Sequence, residues 1–238
     1  MKPVLARLAA CALAAAALAA PAAAATFNLN AVDHGWIQNT GRHGETNLNI
    51  YTGAGDIYRS FHRFAISGVG GGSVTSATLT FRGGNGTFRG SGPETVVLSD
   101  VTSNAALFSR SYAGGDPTGI GLFNDLGTGV YYGHARISAP TNALMPTFSI
   151  TLNGAALDDL NAALAAGAGS FLVGVRSPTL LGTQALWSSS SLRPASFLRI
   201  ETTPDTTPVP LPAGAVLLLS GLAALGLARR RMQAGRGA

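Results

Sequence analysis

Short apolar and β-branched runs, separated by turns rich in Gly, Asn, Ser and Pro, fill the chain between residues 26 and 203. Such runs are typical of β-strands, and their regular spacing predicts two packed antiparallel sheets. The predicted strands span residues 47–51, 58–66, 75–81, 95–101, 130–137, 147–152, 171–175 and 197–201. The expected fold class is therefore all-β, a jelly-roll-like β-sandwich over residues 26–203.

One run indicates which side chains face the core. Alternation along residues 58–66 divides them between two faces. One face carries Tyr58, Ser60, His62, Phe64 and Ile66, and the other carries Arg59, Phe61, Arg63 and Ala65. The first face is expected to point inward, which makes His62 a packed core histidine.

One short helix is expected within this β domain. Asn153 suits the N-cap, Gly167 suits the C-terminal end, and leucines recur between them at helical spacing. Asp158 and Asp159 lie near the helix start, where the helix dipole favours acids. Because adjacent helical residues point in different directions, this pair is interpreted as a solvated face and not as a catalytic carboxylate pair.

Two rare residue types limit the chemistry. Lys2 is the one lysine and Cys11 the one cysteine, and both lie in the first residues of the chain. A P-loop, a Schiff-base lysine, a disulfide and a thiolate metal site are thereby excluded from the folded domain. The sequence also contains no HExxH or GxSxG motif. We therefore expect no cofactor and no recognised catalytic centre.

The positive charge is concentrated at the two ends. The formal net charge is +5, yet residues 26–208 carry ten arginines against eleven acids. A nucleic-acid-binding surface needs clustered basic residues, and the middle of the chain offers none. Nucleic acid is therefore excluded as an expected partner.

The first 25 residues have the three parts of a secretory signal peptide. Lys2 and Arg7 are positive, the following segment is apolar, and small residues precede a cleavage site. The site is defined by Ala23, Ala25 and Thr26. The Sec export machinery and signal peptidase are the expected partners, and the mature chain is expected to begin near Thr26.

The C-terminal segment has the order of a membrane anchor. A Pro/Thr-rich linker over residues 204–208 precedes an apolar run over residues 213–228, which would rise about 24 Å as a helix against a hydrocarbon core of ~30 Å. Arg229, Arg230 and Arg231 follow, and basic residues favour the cytoplasmic side. Residues 232–238 are then a cytoplasmic tail, and the preceding domain lies outside the cytoplasm.

The residues Val209, Pro210, Leu211, Pro212 and Ala213, followed by the apolar helix and the arginine cluster, resemble the VPLPA variant of the PEP-CTERM bacterial sorting signal. This resemblance implies that an exosortase-type membrane peptidase recognises the segment and removes the tail. It also implies a host that makes extracellular polysaccharide, and an envelope or extracellular location after cleavage. The alternative is a permanent inner-membrane anchor.

A second resemblance lies in the middle domain. Residues 58–67, with the VTSATL run at residues 74–79 downstream, are similar to secreted bacterial β-sandwich domains of the DNRLRE type, which resemble carbohydrate-binding modules. That family usually has an acid where Ala65 stands. The resemblance therefore implies a fold and no shared polar or metal site.

Acids in loops are the candidates for a metal site. Asp33, Glu45 and Asp56 could bind a hard cation such as calcium, and His34 and His43 are placed in the same Gly/Asn-rich loop. The alternative is that these acids are simply solvated. None of the histidines has the spacing of a zinc motif.

Aromatic side chains are the candidates for carbohydrate binding, because their faces stack on the apolar faces of sugars. Trp36 and Tyr131 are the principal candidates. The wider set adds Tyr51, Tyr112, Tyr132 and Trp187. The expected function is a non-enzymatic envelope or matrix protein that associates with exopolysaccharide. The alternative is a secreted polysaccharide hydrolase.

Overall fold

The computed structural model describes residues 24–83, 86–138, 144–188 and 195–204, with residues 221, 222, 225, 226 and 229 of the C-terminal segment. The first four ranges belong to one compact unit, Ala24–Pro204. Its strands are β1 (Thr26–Gln38), β2 (Ile50–Gly53), β3 (Tyr58–Ala65), β4 (Val74–Phe81), β5 (Gly86–Arg89), β6 (Glu94–Ser99), β7 (Tyr131–Ile137), β8 (Phe148–Thr151), β9 (Ser170–Arg176), β10 (Ala185–Ser188) and β11 (Ser196–Thr202). The helices are α1 (Pro117–Thr128) and α2 (Gly154–Ala165). The mostly β prediction is confirmed.

Strand β1 belongs to two antiparallel ladders. Residues 26–30 pair with β11, and the first ladder continues through β4 to β8. Ala31 and residues 33–38 pair with β3, with a register shift between Ala31 and Asp33, and the second ladder continues through β9 and β6 to β7. The hairpin partner of β3 is β2. Strand β2 pairs in turn with β10, and β10 pairs with β5. The bulge therefore lets one strand change ladders.

The main core lies between the ladders. Phe64, Val173 and Leu98 from the second ladder and Leu79 and Leu198 from the first belong to one buried cluster. Ser60, His62, Phe64 and Ile66 are buried as the alternation predicts. Burial of apolar area on both ladders is the main source of stability for such a fold.

A second, smaller core lies beneath α1. Phe61, on the opposite face of β3, is 1% exposed and joins Ile37, Phe108, Leu122 and Leu126. The prediction of a single helix is therefore wrong, because α1 packs on the face of β3 opposite the main core. Asp116 caps α1 by accepting hydrogen bonds from the backbone of Thr118 and Gly119.

The predicted helix is α2. Asn153 caps it by accepting a hydrogen bond from the Ala156 amide at 3.1 Å, and Gly167 beyond its end has a positive φ of 67°. Each of the eight predicted strands overlaps a strand of the structure. Strands β1, β5 and β10 were not predicted.

The predicted terminal segments lie almost entirely outside the described residues. Residues 1–23 of the signal peptide, residues 209–213 and the last two arginines of the cluster are among those not described. Gly221, Leu222, Leu225, Gly226 and Arg229 have helical backbone. Within the part of the chain that is described, no helix has the length and apolar character needed to cross a membrane.

Candidate functional site

Four half-buried aromatic rings form a row across neighbouring strands. Trp36 of β1 packs edge-on against Tyr58 of β3 with ring centroids 5.3 Å apart, and Tyr58 packs against Tyr51 of β2 at 4.3 Å. Tyr51 lies directly opposite Trp187 of β10 in the strand register. We call Trp36, Tyr58, Tyr51 and Trp187 the aromatic row.

The register of β2, β10 and β5 creates a depression at one end of the row. Trp187 pairs with Tyr51 on one side and Thr87 on the other, while Ala185 pairs with Arg89. Because alternate residues of a strand share a face, these side chains point to the same side. They line a groove of about 330 Å³, whose described walls are Tyr51, Thr87, Arg89, Ala185 and Trp187.

Gly53 allows the strands to approach each other at this point. Its φ is +116°, and a Cβ there would lie 2.8 Å from the Gln184 carbonyl oxygen and 2.9 Å from Leu180 Cβ. Gly53 also pairs with Tyr58 and with Ala185. A residue without a side chain is therefore needed where the row passes from β3 to β2.

Trp36 is held in place by a buried histidine. His43 Nδ1 lies 2.7 Å from the Trp36 carbonyl oxygen, and its Nε2 lies 2.9 Å from the Phe108 carbonyl oxygen. The ring also packs edge-on against Phe61. His43 therefore ties β1 to the segment before α1, and nothing in these contacts indicates a metal ligand.

The aromatic residues predicted to bind carbohydrate do not all lie at one site. Trp36 belongs to the row, as do Tyr51 and Trp187 from the wider set. Tyr131 is 47% exposed on β7, and its hydroxyl is hydrogen-bonded to His134 Nδ1. Sequence reasoning missed Tyr58 because alternation assigned it to the core, although its side chain is outside the main core cluster.

The three acids predicted to bind a metal do not form one cluster in the structure. Asp33 accepts a hydrogen bond from Ser109 and lies 3.2 Å from an Arg63 nitrogen. Asp56 holds Arg59 through two hydrogen bonds, of 3.0 and 2.5 Å. The described residues contain no group of three His, Cys, Asp or Glu side chains that could hold a metal ion. Glu45 lies in a turn, where its backbone amide donates to Ser111.

Two buried histidines stack between the ladders. The prediction that His34 lies in a loop is wrong, since the bulged β1 extends through it and pairs it with His62. Their rings are 6.0 Å apart and nearly parallel. His62 Nδ1 is 2.8 Å from the Ser196 hydroxyl of β11, so the predicted core role of His62 is confirmed.

The burial of His62 predicts acid sensitivity. Burial, and to a lesser degree the neighbouring His34, holds the pKa of His62 well below its ordinary value of 6.5. The unfolded chain therefore binds a proton below pH 6.5 that the folded chain excludes. We expect stability from this group to be complete above pH 6.5 and to fall by about 1.4 kcal/mol per pH unit below it, until the folded pKa is reached.

Urea unfolding between pH 7.5 and 5.0 measures this slope. The matched variant is His62→Gln, which retains a polar side chain and cannot titrate. The difference between wild type and variant should change by about 1.4 kcal/mol per pH unit. Parallel curves for the two proteins below pH 6.5 would show that His62 is not the group responsible.

A second cavity of about 330 Å³ lies near α2. Its polar lining includes Asp100, Ser103, Tyr132, Asp159 and Ser170. The Tyr132 hydroxyl donates to Asp159 at 2.8 Å. Burial raises the pKa of Asp100, partly offset by a hydrogen bond from Val130, and the charges of Asp125 and Asp159 raise it further. Asp159 thus lines a cavity, although the sequence assigned it to a solvated helix face.

The predicted cleavage site borders β1. Ala23 lies outside the described residues, Ala25 accepts a hydrogen bond from the Thr202 amide at 3.0 Å, and Thr26 is the first residue of β1. A chain beginning at Thr26 would keep every paired residue of β1.

The chain shows little similarity to known proteins. No protein-family model and no curated protein matches the sequence. A solved structure that resembles the chain comprises the CBM22-1 and GH10 modules of an endo-1,4-beta-D-xylanase from Clostridium thermocellum, complexed with xylohexaose. The identity is 8%, the match covers 77% of this chain and 29% of that one, and the TM-score is 0.28. The chain thus spans less than a third of that protein's length, and a likeness at this level carries no argument about function.

Proposed function

We propose that this chain is an exported envelope or matrix protein whose β-domain binds polysaccharide without cleaving it. The observation that carries the proposal is the aromatic row beside a groove. Half-buried rings on rigid strands offer apolar ring faces and edges, and sugars present apolar faces to such side chains. Tryptophan and tyrosine also bind with little loss of side-chain freedom.

The architecture expected for this role is a jelly-roll-like sandwich. Its support is the main core, in which side chains from both ladders meet. Tyr51 and Trp187 of the aromatic row lie on two short strands beyond β3, and Trp36 and Tyr58 lie on β1 and β3, so paired backbone holds all four rings in position. Sites built on strands are positioned more precisely than sites built on loops.

Location is the second part of the proposal. The signal peptide exports the chain, and the segment beginning at Val209 retains it in the inner membrane until an exosortase-type peptidase removes the tail. The support is the order of the VPLPA box, apolar run and arginine cluster in the sequence. Such a route would deliver the domain to a place where extracellular polysaccharide accumulates.

Deleting residues 213–238 tests this location. The apolar run supplies the affinity for the bilayer, so we expect the shortened chain to leave the membrane fraction and appear in the soluble envelope fraction. The measurement is fractionation followed by immunoblotting, with a substitution of Thr206 and Thr207 by alanine as the control. An unchanged membrane fraction after the deletion would contradict the anchor.

Incubation with the host's own exopolysaccharide tests the function. We expect the purified full chain to be retained on the immobilised polymer, with the length distribution of the polymer unchanged. Size-exclusion chromatography of the polymer measures that length. Failure of the chain to be retained would contradict polysaccharide binding.

The hydrolase alternative rests on the cavity near α2. Glycoside hydrolysis uses one carboxyl group that keeps its proton and a second that is ionised, and Asp100, with its raised pKa, shares this cavity with Asp159. Shortening of the polymer by wild type, abolished in Asp100→Asn, would favour this function over simple binding. Unchanged polymer with both proteins would reject it.

A further inference from the structure

The groove has one charged side chain in its described lining, the guanidinium of Arg89. Arg89 is exposed at the end of β5, where its backbone pairs with Ala185, and its side chain makes no ion pair or hydrogen bond with the described residues. Two arginines on β3 are instead matched by acids: Arg59 by Asp56 and Arg63 by Asp33. The cation that faces the groove is therefore available to a ligand.

The strand register sets the spacing between the backbone of Arg89 and that of Tyr58. Arg89, Ala185, Gly53 and Tyr58 occupy successive strands in one register. Three strand intervals separate Arg89 from Tyr58, which corresponds to about 14 Å across the sheet. The two intervening residues are small, so a bound chain can lie along the sheet between a charged end and an aromatic end.

Nearby acids do not cancel this charge within the groove. Glu94 is the closest acid along the chain, on β6, and it is 4% exposed. Its Cγ packs near Gly90, where an added Cβ would lie 2.8 Å from it, and it is not part of the groove lining. A ligand in the groove therefore meets a cation next to aromatic faces.

We infer that the ligand of this groove is an acidic polysaccharide, with a carboxylate carried on the sugar ring bound by Arg89 and neighbouring sugars stacked on Tyr51 and Trp187. This inference rests on the proposed polysaccharide binding and adds its charge class. A guanidinium presents parallel N–H donors that match the two oxygens of a carboxylate. A neutral glycan would leave that donor pair without an equivalent partner.

Oligogalacturonate and its methyl ester test the inference, since they share a backbone and differ in charge. Calorimetric titration of the full chain should show about tenfold tighter binding of the acid form, the range expected for one charge-assisted contact. Arg89→Gln should remove the difference between the two probes, and Arg89→Lys should retain part of it. Arg136→Gln, an exposed arginine on β7 outside the groove, is the matched control and should change nothing.

The outcomes separate the inference from the function on which it rests. Equal affinity for the acid and the ester would overturn the acidic ligand while leaving polysaccharide binding intact. An Arg89→Gln protein that still prefers the acid would overturn the assignment of the carboxylate to Arg89. If neither probe binds, the inference also fails. The proposed function itself would be overturned only if the wild-type chain were not retained on the host exopolysaccharide.

Discussion

Phe61→Ala is expected to lower the free energy of unfolding by about 3–5 kcal/mol, the range for truncating a buried phenylalanine. The ring is 1% exposed and lies 4.7 Å from the Phe108 ring, centroid to centroid. Its removal leaves a cavity between β3 and α1 that rigid strands cannot close. Because whole domains are stable by only about 5–15 kcal/mol, the variant should lose a large share of its stability.

Urea unfolding at pH 7.5, followed by tryptophan fluorescence, measures this loss. Val32→Ala is the matched control, since Val32 is 57% exposed and its truncation should change stability by less than about 0.5 kcal/mol. Phe61→Leu fills most of the cavity and should cost less than Phe61→Ala. A loss below 1 kcal/mol for Phe61→Ala would mean that α1 does not seal a second core.

Removing two rings of the aromatic row should weaken polysaccharide binding most strongly. Tyrosine and tryptophan at the centre of an interface each contribute about 2 kcal/mol or more when truncated, which is about thirtyfold in Kd. We therefore expect Trp187→Ala to lose at least about thirtyfold in affinity, and the double variant with Tyr51→Ala to lose measurable retention. Affinity electrophoresis in gels containing the polysaccharide gives both values.

Matched variants separate binding from folding. Trp187→Phe keeps an aromatic face and should retain most of the affinity. Tyr131→Ala removes a more exposed ring from β7, outside the row, and should bind as wild type does. Near-ultraviolet circular dichroism confirms that each variant keeps its tertiary packing. If Tyr131→Ala weakens binding as much as Trp187→Ala, the polysaccharide does not depend on the row.

A two-residue period predicts which side chains are buried where the strand register is regular. In β3 the two-residue period correctly placed His62 and Phe64 in the core. In β1 the register shift between Ala31 and Asp33 breaks the period at the point where the strand changes ladders. A bulge inserts one residue, so a pattern that assumes a constant period cannot follow the strand through it.

Helix α1 was missed for a different reason. Gly119, Leu122, Phe123 and Leu126 are buried at helical spacing, and Asp116 followed by Pro117 is a recognisable N-terminal signal. The glycines within this segment have a low intrinsic helix propensity, so the segment did not suggest a helix despite the spacing of its apolar residues. Gly119 is required by tertiary packing, because a Cβ there would lie 2.0 Å from the Gly41 carbonyl oxygen.

The aromatic row could be predicted only as a set of residue types. Trp36, Tyr51 and Trp187 were candidates because of their chemistry, but they come from strands far apart in sequence. Their alignment depends on the pairing of β10 with β2 and on the bend at Gly53, which are tertiary features. Tyr58 could have been found by asking whether the start of β3 extends beyond the core.

Hydroxyl-radical footprinting with and without bound polysaccharide tests the central claim most directly, because it locates the ligand on the unmodified full chain. Oxidation is read by mass spectrometry at each aromatic residue. We predict that polysaccharide protects Tyr51, Tyr58 and Trp187 and leaves the exposed Tyr131 equally oxidised. Protection of Tyr131 with no change at Tyr51 and Trp187 would contradict binding at the aromatic row.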